Sequence, residues 1–220
     1  MGSESCPSHL RGVTVAKKLV GLCQRHGETT LNVGNQFRGR VDPYLNKEGI
    51  EQAEEAGKKI AKDHKDFVKK IVSSPMLRSL QTADIIAEEL GLEVIQDRGL
   101  IAWNLGFLSG KDKDEYKDIL DFYVDNPKKA VPEGESLDDL ETRIEQFFGT
   151  ELRTEGTLYV THNSNLITLE NLIAGNKDGR PENTGNSVEP GGTIGIYVDD
   201  EGKYSTKILF GTENGASFVS

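Results

Sequence analysis

Short apolar runs alternate with amphipathic helical patterns along this chain. The apolar runs predict strands, and apolar residues that recur every three to four positions predict the helices between them. This alternation indicates an α/β protein, which we expect to be a three-layer αβα sandwich with a mainly parallel sheet and an antiparallel last strand at an edge. The predicted strands are 18–23, 67–72, 92–95 and 157–161, the predicted helices are 47–64, 76–90, 136–148 and 164–174, and a terminal hairpin is predicted from 192–198 and 203–210.

Residues with strong local preferences mark the ends of several helices. Asn46 is a candidate N-cap for the first long helix, and Ser136 with Asp139 forms a variant of the capping box before the third. Gly91 follows the second helix at the position where a left-handed residue ends many helices. These signals support the predicted boundaries independently of the hydrophobic pattern.

Changes in composition along the chain predict its domain organisation. Residues 17–212 are expected to form one domain, between a mobile N-terminal tail at 1–16 and a C-terminal tail at 213–220. A domain of this length can bury a sizeable core. The section 97–135 has few apolar and many acidic residues, and we expect it to be an insertion that covers one end of the sheet.

Charge and cysteine content limit the partners and the compartment. A formal net charge of −10 argues against nucleic acid or an anionic membrane as the main partner, although a local group of arginines can still bind a small anion. No stretch reaches the length of a transmembrane helix, and the N-terminus lacks the apolar core of a signal peptide. Cys6 and Cys23 cannot form a disulfide framework, so a cytoplasmic location is expected.

Two of the four histidines follow directly after strand-like runs. His26, with Arg25 before it, follows the first strand, and His162 follows the strand at 157–161. Reactive side chains collect at the carboxyl ends of parallel strands. Arg78 lies on the first turn of its helix, where it can point back over the sheet end beside the positive end of the helix dipole. We therefore expect these four side chains to meet in one pocket.

These four side chains supply the groups that phosphoryl transfer to an enzyme requires. A neutral imidazole can act as the nucleophile. Two arginines and a second imidazole can hold the phosphoryl oxygens while charge shifts in the transition state. The set therefore predicts a phosphoryl-transfer site that requires no metal ion.

Four motifs along the chain form a series with characteristic spacing. They are Arg-His-Gly-Glu-Thr at 25–29, Ser-Ser-Pro-Met-Leu-Arg-Ser-Leu-Gln-Thr-Ala at 73–83, Pro-Glu-Gly-Glu-Ser at 132–136 and Val-Thr-His at 160–162. The series resembles the histidine phosphatase superfamily, the phosphoglycerate mutase-like group, and the resemblance runs over almost the whole predicted domain. Trp-Asn-Leu-Gly at 103–106 resembles a bacterial or phage-like branch of this group.

The resemblance implies a role for each site residue. His26 would attack phosphorus and become phosphohistidine, which water would then hydrolyse. Arg25, Arg78 and His162 would bind the phosphoryl oxygens, with help from Asn32. The resemblance implies no metal and no other cofactor, and the partner would be a small phosphorylated substrate or a phosphoprotein.

The residue that protonates the leaving group in many members of this group is missing here. Alignment on Asn-Leu-Gly at 104–106 puts Ala102 at the position of their carboxylic acid, and alanine cannot donate a proton. Glu135 is the predicted substitute, with Asp42 and Asp97 as weaker candidates. A glutamate just before a helix is also a good partner for the helix dipole, which gives Glu135 an alternative, structural role.

Three functions are compatible with these residues. The first is a metal-independent phosphatase that hydrolyses phosphomonoesters through phosphohistidine on His26. The second is a phosphoglycerate mutase, ranked lower because the section 97–135 is acidic and Ala102 lacks the carboxylate that a mutase usually needs. The third is a phosphate- or phosphoprotein-binding module with little turnover, which the missing acid would favour.

Overall fold

The computed structural model describes residues 16–152, 154–176 and 188–211. The tails predicted at 1–16 and 213–220 lie outside these ranges, except for residue 16. No helix within the described ranges is long and apolar enough to cross a membrane.

Six strands form a single sheet: β1 (Lys17–Arg25), β2 (Lys70–Ser73), β3 (Val94–Gln96), β4 (Thr157–Thr161), β5 (Thr193–Asp199) and β6 (Tyr204–Phe210). Their order across the sheet is β3-β2-β4-β1-β5-β6. The first four strands pair in parallel, β5 is antiparallel to β1, and β6 is antiparallel to β5 at the edge. The predicted mainly parallel sheet is confirmed.

The helices in the described part of the chain are α1 (Thr30–Val33), α2 (Lys47–His64), α3 (Leu77–Leu90), α4 (Lys113–Asp125), α5 (Leu137–Glu151) and α6 (Asn163–Ala174). Helix α2 has the predicted bounds because Asn46 caps it, its side-chain oxygen accepting the Gly49 N–H at 2.8 Å. Helix α5 begins with the predicted capping box of Ser136 and Asp139. The single-turn helix α1 was not predicted, because one turn has no apolar periodicity to detect.

Helices cover both faces of the sheet and give the predicted three layers. Side chains alternate along β4, so Leu158 and Val160 face one layer and Tyr159 faces the other. The first layer is formed by α2 and α3, with Ile86 in its core. The second is formed by α5 and α6, with Ile144 in its core.

The section 97–135 is more than a surface insertion, because its few apolar side chains enter the core. It forms two 3₁₀ turns, Arg98–Leu100 and Gly106–Leu108, followed by α4. Three of its leucines are completely buried in the cluster that also contains the α5 and α6 core residues: Leu100, Leu108 and Leu120. The low apolar content of this section therefore hid its contribution to the fold.

Strand β4 lies between β1 and β2, and all three run in the same direction. Their carboxyl ends meet at one edge, since Arg25 of β1 pairs with Thr161 and Ser73 of β2 pairs with Val160. The segments that follow these three strands carry His26, the start of α3 and His162. This is the edge at which open α/β sheets bind ligands.

Candidate active site

The turn after β1 fixes His26 against the starts of two helices. A Cβ on Gly27 would lie 2.3 Å from the Gly49 carbonyl oxygen, and a Cβ on Gly49 would lie 2.1 Å from the Glu28 carbonyl oxygen. The Gly27 N–H also donates to Thr82 Oγ1 of α3 at 3.0 Å. Only glycine allows this close approach of two backbones, so the pair of glycines sets the position of His26.

Hydrogen bonds define which nitrogen of His26 is reactive. Nδ1 lies 2.7 Å from the Gly27 carbonyl oxygen, which can only accept a hydrogen bond, so Nδ1 carries the proton. In the neutral ring, Nε2 therefore carries the lone pair. Arg78 Nε–H donates to this nitrogen at 3.3 Å. The ring thus presents Nε2 as a nucleophile beside a positive charge.

Arg78 lies on the first turn of α3, as predicted, and its side chain is buried. Its guanidinium donates to the carbonyl oxygens of Gly39 and Val41 at 3.1 and 2.9 Å, and it pairs with Asp42 at 3.3 Å. Together with the bond to His26, these contacts join the loop after α1 to the histidine. Arg78 is therefore held in one orientation beside the nucleophile.

The ring of His162 lies beside that of His26, with 5.3 Å between the ring centroids. His162 is the N-cap residue of α6, directly after β4. Its Nε2 lies 2.8 Å from Ser74 Oγ and 3.4 Å from Ser79 Oγ. The two serine hydroxyl groups thus contact Nε2, and Nδ1 is the ring nitrogen that they do not contact.

Arg25 ends β1 and is also buried. Its Nη1 donates to the Val188 carbonyl oxygen at 2.7 Å and to Asn163 Oδ1 at 3.1 Å. These bonds join the end of β1 to the first turn of α6 and to the segment before β5. The structure therefore brings His26, Arg78 and His162 together in one pocket, as the sequence predicts, whereas Arg25 lies outside the lining and contacts the lining residue Asn163.

Three buried nitrogen atoms around this group have no hydrogen-bond partner among the described residues: Arg25 Nε, Arg38 Nη1 and His162 Nδ1. Leaving a buried donor unpaired costs about 1–3 kcal/mol, and such groups are rare in folded proteins. An anion with several oxygen atoms can pair with all three. Arg38 and His162 line the same pocket as His26, so two of these atoms belong to residues of a preformed anion site at this histidine.

Burial holds the pKa of both histidines well below the ordinary value of 6.5, and the positive charge of Arg78 lowers it further. Arg38 acts on both rings in the same direction. Both imidazoles are therefore neutral at neutral pH. In its neutral form the ring of His26 has the lone pair that a nucleophile requires.

The free protein should lose stability as the pH falls below 6.5. The unfolded chain takes up protons on both histidines near that pH, whereas the buried rings do so only at lower pH. Above 6.5 this contribution to stability is complete, and below it each ring removes up to about 1.4 kcal/mol per pH unit. Urea denaturation between pH 7 and 5.5 measures the slope. The double variant His26→Asn, His162→Asn should have a shallower slope, and an unchanged slope would contradict this assignment.

Two cations in the pocket were not among the predicted site residues. Arg38 and Lys113 line it together with both histidines and Arg78. Arg38 stands inside the stretch that follows the Arg-His-Gly-Glu motif, which was the available signal. Lys113 stands in an acidic section, where a lysine is normally a solvated surface residue. The loop after α1 and the start of α4 thus contribute to the site as well as the strand ends.

Besides Arg25, three further predicted residues lie outside the pocket lining. Asn32 closes the capping box of α1, where its Oδ1 accepts the N–H and the hydroxyl of Thr29 at 3.0 and 2.7 Å. Asp42 pairs with Arg78 and accepts an N–H at the start of α3. Asp97 caps the first 3₁₀ turn. These contacts give all three side chains structural partners.

Glu135, the predicted proton donor, also lies outside the pocket lining. Its carboxylate accepts hydrogen bonds from Arg143 at 2.8 Å, from Arg40 at 3.2 Å and from the Asn104 N–H at 2.9 Å. The side chain forms an ion-pair network that joins the segment at 102–104 to α5. Its role as a proton donor stays a prediction, and these contacts support the structural alternative.

Glu135→Gln should therefore act on stability and not on leaving-group preference. Removing one partner of a buried ion pair costs about 3–5 kcal/mol, and we expect about 2 kcal/mol here because the network is partly exposed. The ratio of activity on p-nitrophenyl phosphate to activity on an alkyl phosphate should stay unchanged. Glu133→Gln makes the same chemical change on an exposed side chain and serves as the control. A selective loss of alkyl phosphate hydrolysis in Glu135→Gln would restore Glu135 as the proton donor.

Fold and pocket together define an α/β protein with a neutral histidine and a preformed anion site at the carboxyl ends of its parallel strands. The chain belongs to the histidine phosphatase superfamily, whose branch 1 matches residues 22–188. It is 31% identical over 158 residues to the 2,3-bisphosphoglycerate-dependent phosphoglycerate mutase of Azorhizobium caulinodans, which covers 66% of this chain and 76% of that protein. The family predicted from the four motifs is confirmed.

Solved structures share the fold at low sequence identity. A mycobacterial glucosyl-3-phosphoglycerate phosphatase in complex with VO3 superposes with a TM-score of 0.74 at 20% identity, over 90% of this chain and all of that chain. The α-ribazole phosphatase of Shigella flexneri superposes with a TM-score of 0.71 at 21% identity, again over 90% of this chain and all of the other. The phosphoglycerate mutase-like αβα architecture is thus confirmed.

Proposed function

We propose that this protein is a phosphatase that hydrolyses phosphomonoesters through a phosphohistidine on His26, without a metal ion. The observation that carries the proposal is the pair of unpaired buried nitrogen atoms of Arg38 and His162 in the pocket that contains the lone pair of His26 Nε2, with a third on the neighbouring Arg25. A phosphoryl group offers oxygen atoms to these nitrogen atoms while its phosphorus atom faces the histidine.

The same residues account for the transfer step. His26 Nε2 attacks phosphorus in line with the leaving oxygen. Arg25, Arg38 and Arg78 place positive charge around the equatorial oxygens, where negative charge is held in the transition state. Arg78 Nε–H, which donates to Nε2 in the free protein, can turn to a phosphoryl oxygen when that nitrogen forms its bond to phosphorus. Water then attacks the phosphohistidine and releases phosphate.

A phosphoglycerate mutase is the second candidate, and two observations favour it. A relative with 31% identity bears that name. The section 97–135, whose acidic composition argued against a mutase, contributes a cation, Lys113, to the pocket. We rank the phosphatase first because Ala102 lines the pocket where a mutase usually carries its acid.

Phosphate release and isomerisation measured on the same sample separate the candidates. We expect release of inorganic phosphate from a panel of phosphate esters, independent of added 2,3-bisphosphoglycerate. Isomerisation of 3-phosphoglycerate that requires bisphosphoglycerate and releases no net phosphate would establish the mutase instead. Binding of vanadate without turnover of any ester, p-nitrophenyl phosphate included, would establish a binding module.

A further inference from the structure

The pocket presents no carboxylate to a leaving group among the described residues that line it. Ala102 occupies the expected position, and the carboxylates of Asp42 and Glu135, which lie outside the lining, are paired with arginines. An alkoxide leaving group is strongly basic and requires a proton in the transition state. A different kind of side chain must therefore supply it if alkyl phosphates are hydrolysed.

Lys113 occupies a suitable position for this task. It is the first residue of α4 and lines the same pocket as His26, Arg78 and Ala102. In-line attack places the leaving oxygen on the far side of phosphorus from His26 Nε2. His26 is 1% exposed, so a group that departs away from it moves toward the open part of the pocket. Lys113 is partly exposed, lines the pocket and stands close enough to Arg38 and Arg25 to feel their charges, so its side chain is within the cavity into which the leaving group departs.

The other proton-bearing groups that line the pocket are poor donors. Both histidines are neutral, and arginine does not release its proton in proteins. Lys113 has no ion pair among the described residues that would hold its proton in place. Among the described residues that line the pocket, Lys113 therefore carries the proton that is most readily transferred.

The charges around Lys113 suit the same role. Burial, together with the positive charges of Arg38 and Arg25, lowers the pKa of Lys113 to about 8, while Asp114 acts in the opposite direction. An ammonium group with this pKa still holds its proton at neutral pH. It also releases the proton more readily than a solvated lysine, since a catalytic acid works best with a pKa near the working pH.

We infer that Lys113 is the general acid of this site, in place of the missing acid at position 102. The inference rests on the proposed phosphatase function. The lone pair of His26 Nε2 forms the N–P bond, the bond from phosphorus to the leaving oxygen breaks, and that oxygen takes a proton from the Lys113 ammonium. In the second step water attacks phosphorus, the N–P electron pair returns to His26, and the neutral Lys113 amine takes the proton from water.

The test compares leaving groups in variants of Lys113. Lys113→Met should lower kcat/KM for both substrates through the lost positive charge, by about tenfold for p-nitrophenyl phosphate, whose nitrophenolate needs little protonation. On an alkyl phosphate the loss should be about 100-fold greater than on p-nitrophenyl phosphate. Lys113→Arg keeps the charge without a transferable proton and should show the same selective loss. Lys111→Met, a change on an exposed lysine two residues away, is the matched control.

The pH profile gives a second measurement. Wild-type kcat/KM for the alkyl phosphate should fall above pH 8, as Lys113 loses its proton, and this fall should be absent from Lys113→Met. Arg38→Gln should move the fall to higher pH, because it removes a neighbouring positive charge.

Three results would overturn the assignment while leaving the phosphatase intact, provided that His26 is still phosphorylated. The first is an equal loss on both substrates in Lys113→Met. The second is full alkyl phosphatase activity in Lys113→Arg, which would make the role one of charge alone. The third is a wild type that hydrolyses p-nitrophenyl phosphate but no alkyl phosphate. Absence of phosphohistidine in the wild type would instead reject the proposed function itself.

Discussion

His26→Asn should lower kcat by about 10⁴-fold or more and abolish the phosphorylated form of the protein. The substitution removes the nitrogen that forms the covalent bond to phosphorus. Asparagine keeps a polar side chain in the buried position, so the loss reports the missing nucleophile and not an empty space. The neighbouring cations still bind phosphate, since Arg25, Arg38 and Arg78 are unchanged. We therefore expect vanadate binding to survive the loss of turnover.

The measurement is a labelling experiment with a labelled phosphate donor, quenched with alkaline denaturant. The wild type should give one acid-labile, base-stable phosphopeptide that contains His26. His64→Asn is the control, because His64 lies on α2 against Phe210 and outside the pocket. A label that persists in His26→Asn, or that maps to another residue in the wild type, would contradict the proposed phosphohistidine mechanism.

Arg78→Met is expected to cause the second largest loss, about 10³-fold in kcat/KM. Removing one donor that stabilises charge in a transition state commonly costs about 10²–10³. Arg78 also holds the carbonyl oxygens of Gly39 and Val41, so its loss loosens the loop that carries Arg38. One substitution therefore removes one cation from the site and weakens the placement of a second.

Arg78→Lys separates charge from geometry. Lysine keeps the positive charge but cannot reach His26, two carbonyl oxygens and Asp42 at once, so we expect a loss of about 10²-fold. Arg98→Met, on an exposed arginine outside the pocket, is the control. Vanadate affinity, measured by inhibition or calorimetry, should fall with kcat/KM. Wild-type affinity in Arg78→Met would show that Arg78 does not bind the anion.

Local sequence signals predicted those parts of the fold that local contacts decide. Helix α2 has its predicted bounds because Asn46 satisfies its first free N–H groups and its apolar stripe packs on the sheet. Strand β4 was likewise predicted residue for residue from a short apolar run. The four residues of the strand ends could be predicted because parallel strands put their carboxyl ends at one edge.

Side chains whose partners lie far along the chain could not be predicted in the same way. In the sequence Glu135 looks available as a proton donor, because its ion-pair partner Arg40 is 95 positions away and no local pattern indicates their contact. Lys113 looks like surface, and only the packing of the section 97–135 into the core brings it to the pocket. Arg38 became a site residue because Arg78 binds the carbonyl oxygens of Gly39 and Val41, in the loop directly after Arg38. In each case the tertiary contact, and not the local pattern, decides the role.

The position of β4 between β1 and β2 also determines when catalytic competence arises during synthesis. β1 and β2 do not pair with each other, and the strand that joins them is residues 157–161. Before β4 has emerged from the ribosome, the nascent chain therefore lacks the strand that holds His26 near Arg78. Both residues have emerged long before that point. Contacts between residues this far apart in the chain form slowly and are among the last to form during folding. The appearance of phosphatase activity would thus report completion of the central sheet.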